Sequence, residues 1–182
     1  WKCRFCMTGN YHMCAPHDMY GFKRATPGAM AEYMVYKRNA KVHRVSSSLP
    51  PAHAAFAEPL SCALHAVERG QLTFDDTVVV AGCGPIGLGM IAGARAKNPA
   101  RIIALDVMPT KLELAKLSGA DLTINIAEED PVGIIADLTG GYGADVYLEG
   151  TGHPSAVGQG LNVLRKMGRF VEYSVFGSDV SV

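Results

Sequence analysis

The stretch "TVVVAGCGPIGLGMIAGARAKN", residues 77 to 98, passes from an unbroken β-branched run through a cluster of glycines into small, helix-compatible sequence. "TVVVAG" has the continuous apolar character of a strand buried on both faces, and "GLGMIAGARAKN" has the small residues a helix needs to lie close to a sheet. Between them Gly82, Gly84 and Gly87 are spaced GxGxxG. Alone that spacing is weak. Directly after a strand and at the mouth of a helix it implies a tight turn at the first glycine, close approach of backbone to a pyrophosphate at the second, and helix–strand packing at the third. The competing reading is a glycine turn that merely joins a strand to a helix.

Downstream the pattern continues. "RIIALDV" (101–107) reads as the next buried strand, and "TKLELAKLSGA" (110–120) as a helix with a Thr cap and a Gly stop, followed by the short strand "LTINI" (122–126). The unit then repeats: a helix in "DPVGIIADLTGG" (130–141), a strand in "ADVYLEGTG" (144–152), a helix in "PSAVGQGLNVLRKMG" (154–168) and a strand in "GRFVEYSVFG" (168–177). Strands alternating with helices in this way predict an α/β fold, a doubly wound parallel Rossmann sheet over residues 76–182. Its nucleotide-binding form has strand order 3-2-1-4-5-6, so five of six strands are present and the sixth is missing. Asp106 ends the second strand, where a carboxylate accepts hydrogen bonds from both hydroxyls of an adenosine ribose. That favours NAD: a 2′-phosphate would face Asp106, and no Arg or Lys follows until Lys111. Lys111 itself reads equally as a cofactor neighbour or an exposed helix lysine.

Upstream, "WKCRFCMTGNYHMC" (1–14) brings Cys3, Cys6 and Cys14 close together, as a tetrahedral sulfur site for zinc requires. A redox CxxC would sit at a helix start in a thioredoxin-like βαβ unit, which is not found here. His17 or His12 could supply the fourth ligand, as could a cysteine outside the visible chain. With four protein ligands the site is closed and performs no chemistry. "GAMAEYMVYKRNAKVHRV" (28–45) reads as strands. "SSSLPPAHAAFAEPLSCALHAVERG" (46–70) reads as a turn and then helix, with Pro59 breaking it in two. Glu58 is a lone acid beside that proline, placed either to cap the helix or to serve a site. His65 reads as an ordinary core or surface histidine, and Cys62 and Cys83 as small packing residues.

Seventeen basic and seventeen acidic residues cancel, without runs of one sign, so neither nucleic acid nor anionic lipid is an expected partner. The longest uncharged stretch, Val78 to Ala94, holds too many glycines for a membrane span. Five cysteines, only three of them clustered, argue for metal ligation in a reducing compartment, with cytoplasm the default. Trp1 is not an initiator, so the chain reads as a fragment.

Taken together, "CRFCMTGNYHMC", "GAMAEYMVY", "EPLSCALHAVERG", "VVVAGCGPIGLGMIAGARAKN" and "IIALDVMPTKLELAKLSGAD" resemble the zinc-dependent medium-chain alcohol and polyol dehydrogenases along the whole chain. "EPLSCALHAVERG" resembles the sorbitol, butanediol and threonine dehydrogenase branch. "YGFKRATPGAMAEYMVY" and "LTGGYGADVYLEGTGH" resemble bacterial erythritol/L-threitol dehydrogenases most. The resemblance implies that residues 1–50 are part of a GroES-like catalytic domain with a structural zinc lobe, and that residues 51–75 are linking helices. It implies a structural zinc held by Cys3, Cys6, Cys14 and a cysteine immediately before Trp1, in place of His12 or His17. It implies that Glu58 contributes to a catalytic zinc, directly or through its water, with the other ligands upstream. For NAD it carries Gly82, Gly84, Pro85, Ile86 and Gly87 to the pyrophosphate turn, Asp106 to the ribose and Lys111 beside it. Gly150 and Thr151 would line the cleft after the fourth strand, and Ser174 and Val175 would meet the nicotinamide end. The expected reaction is reversible oxidation of a secondary hydroxyl in a small polyol, by a homodimer or homotetramer. The rival readings are a noncatalytic NAD-binding module and a zinc-dependent assembly lobe.

Overall fold

The computed structural model describes residues 2–17 and 19–181. The chain divides into two compact units, Trp1–Ser46 and Ser47–Val182. The first holds a short helix α1 (Arg4–Met7), a 3₁₀ turn (Tyr11–Met13) and an isolated bridge between Lys23 and Thr26. The strands expected in 28–45 do not form: no regular element occupies that segment. The physical reason is a missing partner. Met30, Tyr33 and Val35 stay 104%, 89% and 77% exposed, and among the described residues no neighbouring strand takes up their ladder or covers their side chains. What order there is comes from local bonds, such as the Lys37 N–H donating to the Tyr20 hydroxyl at 2.7 Å.

The second unit begins with α2 (Pro51–Ala55) and α3 (Ala57–Arg69). The helix is interrupted as expected, but at Phe56, three residues before Pro59. Pro59 sits in the first turn of α3, where a missing N–H removes no intrahelical bond. Then follow β1 (Thr77–Ala81), α4 (Pro85–Lys97), β2 (Arg101–Asp106), α5 (Pro109–Leu117), β3 (Leu122–Asn125), α6 (Pro131–Leu138), β4 (Ala144–Glu149), α7 (Pro154–Val163) and β5 (Leu164–Glu172). All pairings are parallel, in the order β3-β2-β1-β4-β5.

Alternation along the strands explains why the sheet is covered twice. Val78, Val80, Ile102, Ala104, Val146 and Leu148 pack with Ala63, Val67, Met90 and Ile91 on one face. Val79, Ala81, Ile103, Leu105 and Tyr147 pack with Ile124, Ile135 and Val163 on the other. Side chains such as Val79 and Ile103 are completely buried, each contributing about 1.5–3 kcal/mol relative to exposure.

Three details differ from the sequence reading. Gly89 and Gly93 of α4 face α3, not the sheet: a Cβ would lie 2.8 Å from Ala63 Cβ at the first and 2.7 Å from Leu64 Cδ2 at the second. The Thr cap of α5 is not used, because Pro109 takes the first helical position and Met108 is the N-cap. The helix expected to run to Gly168 stops at Val163. Leu164 is already extended and pairs with Ala144, after which the ladder bulges until Arg169 meets Val146. An ion pair at the bulge, Arg165 Nε to Asp145 Oδ1 at 2.6 Å, ties this strand start to β4.

Candidate functional site: a cleft at the strand ends and a cysteine trio

The sheet order reverses between β1 and β4, the place where open α/β sheets leave a crevice beyond the carboxyl ends of their strands. A cavity of about 610 Å³ lies there. One wall comes from Gly82, Gly84, Asp106, Val107 and Lys111, and the other from Gly150, Thr151, His153, Ser155 and Gln159. Six expected cofactor residues, Gly82, Gly84, Asp106, Lys111, Gly150 and Thr151, therefore meet in one cleft.

The glycine turn is as tight as its spacing demands. Gly82 has φ +89°, and a Cβ at Gly87 would stand 1.7 Å from the Gly82 carbonyl oxygen. At Gly84 a Cβ would meet nothing within 4 Å, so its open side belongs to the cleft. Gly84 is also the N-cap of α4, and with no side chain capping that helix the first-turn N–H groups, Ile86 and Gly87 among them, remain for an anion. Pro85 occupies the first helical position and has no N–H to give. Cys83 faces inward, and burial together with the Asp106 carboxylate pushes its thiol up to about 12, which keeps it a packing group.

Four of the five strands, all but β1, end alike. On β2, Asp106 Oδ1 accepts the Met108 N–H at 2.9 Å; on β3, Asn125 Oδ1 accepts that of Ala127 at 3.1 Å. On β4, Glu149 Oε1 accepts the Thr151 N–H at 2.7 Å; on β5, Glu172 Oε1 accepts that of Ser174 at 2.6 Å. Each strand-end side chain folds over its own following loop and fixes the rim. Asp106 also reaches across to the glycine turn, accepting the Cys83 N–H at 2.8 Å on Oδ2. Each of its oxygens keeps a lone pair for a ribose hydroxyl.

Ser174 and Val175 lie outside the cleft lining. They pack against the next loop instead: Ser174 Oγ lies 3.4 Å from the Glu149 carbonyl, and Val175, 92% exposed, has its carbonyl 2.9 Å from where a Gly152 Cβ would stand. The sequence reading missed His153, Ser155 and Gln159. His153 is the N-cap of α7, its Nδ1 accepting the Ser155 N–H and lying 2.7 Å from Ser155 Oγ. The signal was a side-chain acceptor followed by Pro154 at a strand–helix junction, the position that lines this crevice.

In the first unit the Sγ atoms of Cys3, Cys6 and Cys14 all lie within 4.8 Å of one another, with Cys3 and Cys6 at 3.5 Å. With Zn–S bonds of about 2.3 Å, tetrahedral sulfurs stand roughly 3.8 Å apart, so the trio fits three corners of a zinc site. The Ala15 N–H donates to Cys3 Sγ and holds that thiol down at about 6, while burial raises Cys6 to about 11. Neither His12 nor His17 joins the trio among the described residues. His17 instead packs edge-on against Phe22.

Glu58 is in the first turn of α3 and exposed; it makes no side-chain cap there. Its Oε1 accepts from Cys62 Sγ at 3.4 Å. Among the described residues it belongs to no cluster of three metal-ligating groups.

Residues 85–182 match the family described as zinc-binding dehydrogenase. The erythritol/L-threitol dehydrogenase of Mycolicibacterium smegmatis is 74% identical over 182 residues, covering 100% of this chain and 50% of that protein. The L-threonine 3-dehydrogenase of Bacillus subtilis is 40% identical over 169 residues, covering 93% of this chain and 48% of that one. A structure solved as a zinc-binding dehydrogenase of Sinorhizobium meliloti 1021, bound to NADP, superposes with a TM-score of 0.89 at 30% identity, over 100% of this chain and 53% of that one. The chain thus spans about half the length of the curated relatives it matches. A family match covering more than half of its residues, on a sheet whose switch point carries the glycine turn and the strand-end acid, shows that this chain belongs to the zinc-binding dehydrogenases.

Proposed function

We propose that the full-length protein is an NAD-dependent, zinc-requiring dehydrogenase that oxidises a secondary hydroxyl of a small polyol of the erythritol and threitol class. The observation that carries this reading is the 74% identity, over the whole chain, to the erythritol/L-threitol dehydrogenase of M. smegmatis. In this reading the cleft residues hold the cofactor. The first-turn N–H groups of α4 receive the pyrophosphate, Gly82, Gly84 and Gly87 keep side chains out of its way, and Asp106 accepts from the ribose hydroxyls. Lys111 stands beside that ribose, and Gly150 and Thr151 form the facing wall. Ser174 and Val175 are assigned to the nicotinamide end on their strand-end position alone. Asp106 is the support for NAD over NADP, because it would face a 2′-phosphate with a like charge.

Cys3, Cys6 and Cys14 would hold a structural zinc, and Glu58 would contribute to the catalytic one. When bound, zinc would supply Lewis acidity towards the substrate hydroxyl and NAD would supply the hydride acceptor. The chain's own residues bind and orient the cofactor for that step. Among the described residues no helix is long and apolar enough to cross a membrane. A cytoplasmic homodimer or homotetramer is the assembly we assign, on family resemblance. The test is an assay of the full-length protein with erythritol, L- and D-threitol, sorbitol, 2,3-butanediol and L-threonine, each with NAD and with NADP. NADH formation fastest with a four-carbon polyol is the expected result; turnover with L-threonine alone would reassign the substrate.

A further inference from the structure

Among the strand-end acids Glu149 is unlike the others. It is completely buried, and its Oε1 accepts from Thr151 N, Thr151 Oγ1 and Gly152 N, the last at 3.3 Å. Its Oε2 is also buried and receives no hydrogen bond from any described residue. A carboxylate oxygen held from water without a donor is costly, so its surroundings have to explain it. In the β4–β5 ladder the register partner of Glu149 is Glu172. Two carboxyls side by side can bond only when one of them carries a proton.

We propose that Glu149 and Glu172 share one proton, and that the resulting O–H···O bond is a positioning device. It locks the loop after β4, which walls the cleft, to the loop after β5. The inference rests on the cleft being the cofactor site. Both loops are already tied to this pair. Glu149 fixes Thr151 and Gly152 through Oε1, and Glu172 fixes Ser174. The Tyr173 N–H donates to the Glu149 carbonyl at 3.3 Å. Removing the shared proton would leave two anions, one of them buried, at the junction of the two loops.

The groups facing the pair offer no substitute donor. Tyr147, two residues before Glu149 on β4, spends its hydroxyl on the Ala156 carbonyl at 3.1 Å and on Gln159, and burial keeps that phenol protonated. Across β1 the partner of Glu149 is Ala81. From α7, His153 is engaged with Ser155. The Tyr173 phenol, raised first by burial, has Cys62 and Glu58 as its neighbours. The ion pairs of the described residues lie elsewhere, so no cation neutralises either carboxyl. In agreement, Glu172, although its residue is exposed, is raised above the usual carboxylate range, first by partial desolvation and also by Glu149, against the Ser174 N–H, which lowers it.

The sign follows. A carboxyl raised in the folded state keeps its proton, and the bond, at low pH and loses both as pH climbs through the raised value. Cofactor affinity should therefore fall with rising pH. The experiment measures NAD dissociation constants of the full-length protein across pH for the wild type, Glu172→Gln and Glu172→Ala, with carbon-13 NMR of side-chain carboxyls in the cofactor-free protein. The expected wild-type result is NAD affinity that weakens several-fold as pH rises, together with one Glu carboxyl titrating above the ordinary range. Glu172→Gln, whose amide donates at every pH, should bind at the low-pH affinity throughout and lack that resonance. Glu172→Ala should bind about tenfold more weakly at low pH, as loss of a hydrogen bond to a buried acceptor implies. A pH step that persists in Glu172→Gln, or a wild type without the high-titrating carboxyl, overturns the proposal. A wild type that fails to bind NAD would overturn the cofactor reading instead, and the carboxyl titration would still decide whether the proton is shared.

Discussion

The two units are held together by different physics. In Ser47–Val182 the strand residues Val78, Val79, Ile102 and Ile103 are fully buried on both faces of the sheet, and apolar burial supplies the order. In Trp1–Ser46 the buried ones among the described residues are Cys6, Cys14 and Thr26, while Met7, Met30, Tyr33 and Val35 lie open. A lobe whose buried positions are mostly thiols takes its order from what the thiols bind. Each part is therefore vulnerable in its own way: the second unit to changes of shape and, on the zinc site we propose for its thiols, the first to loss of metal.

The largest effect should come from shape. Gly87→Ala drives a methyl into the Gly82 carbonyl, and we expect a loss of about 3 kcal/mol in urea unfolding, as overpacking implies, with NAD binding abolished. Next comes Glu58→Ala in the full-length protein, which should lower kcat by about 10²-fold or more, as loss of a group that holds or orients a catalytic metal does, and release the less tightly bound zinc on dialysis. Wild-type rates in that variant would remove Glu58 from the site. Chelation sharpens the comparison directly. Removing zinc from the cysteine trio should raise hydrogen exchange across residues 2–46 while leaving β1, β2 and β4 protected. Equal loss of protection in both units would contradict the division of labour. The smallest effect should be at the exposed Lys116–Glu113 pair, where Glu113→Ala is expected to change stability by less than about 0.5 kcal/mol in the same urea assay.

Legibility in the sequence follows the same line. The parallel sheet, its order and the cleft residues Gly82, Gly84 and Asp106 were readable, because buried strands and a strand–turn–helix junction leave local signatures. The strands expected in 28–45 were misread because strand-forming residues need an edge to pair with, a non-local condition that composition does not report. The end of α7 was misplaced for a related reason. "LRKMG" is compatible with a helix, yet pairing of Leu164 with Ala144 and the Arg165–Asp145 ion pair draw it into β5. His153 and Gln159 went unnoticed since their role depends on which helix face meets the crevice. The Glu149–Glu172 pairing requires the register between β4 and β5, which the bulge after Leu164 shifts and which the sequence does not report.

In the second unit we assign the recognition of NAD to Asp106. The measurement that tests it most directly is the ratio of kcat/KM for NAD to that for NADP, in the full-length wild type and in Asp106→Ala. A strong wild-type preference for NAD should shrink by about tenfold or more in the variant, in line with the loss of charge-assisted hydrogen bonds to the ribose. An unchanged ratio would contradict it and take Asp106 out of the cofactor site.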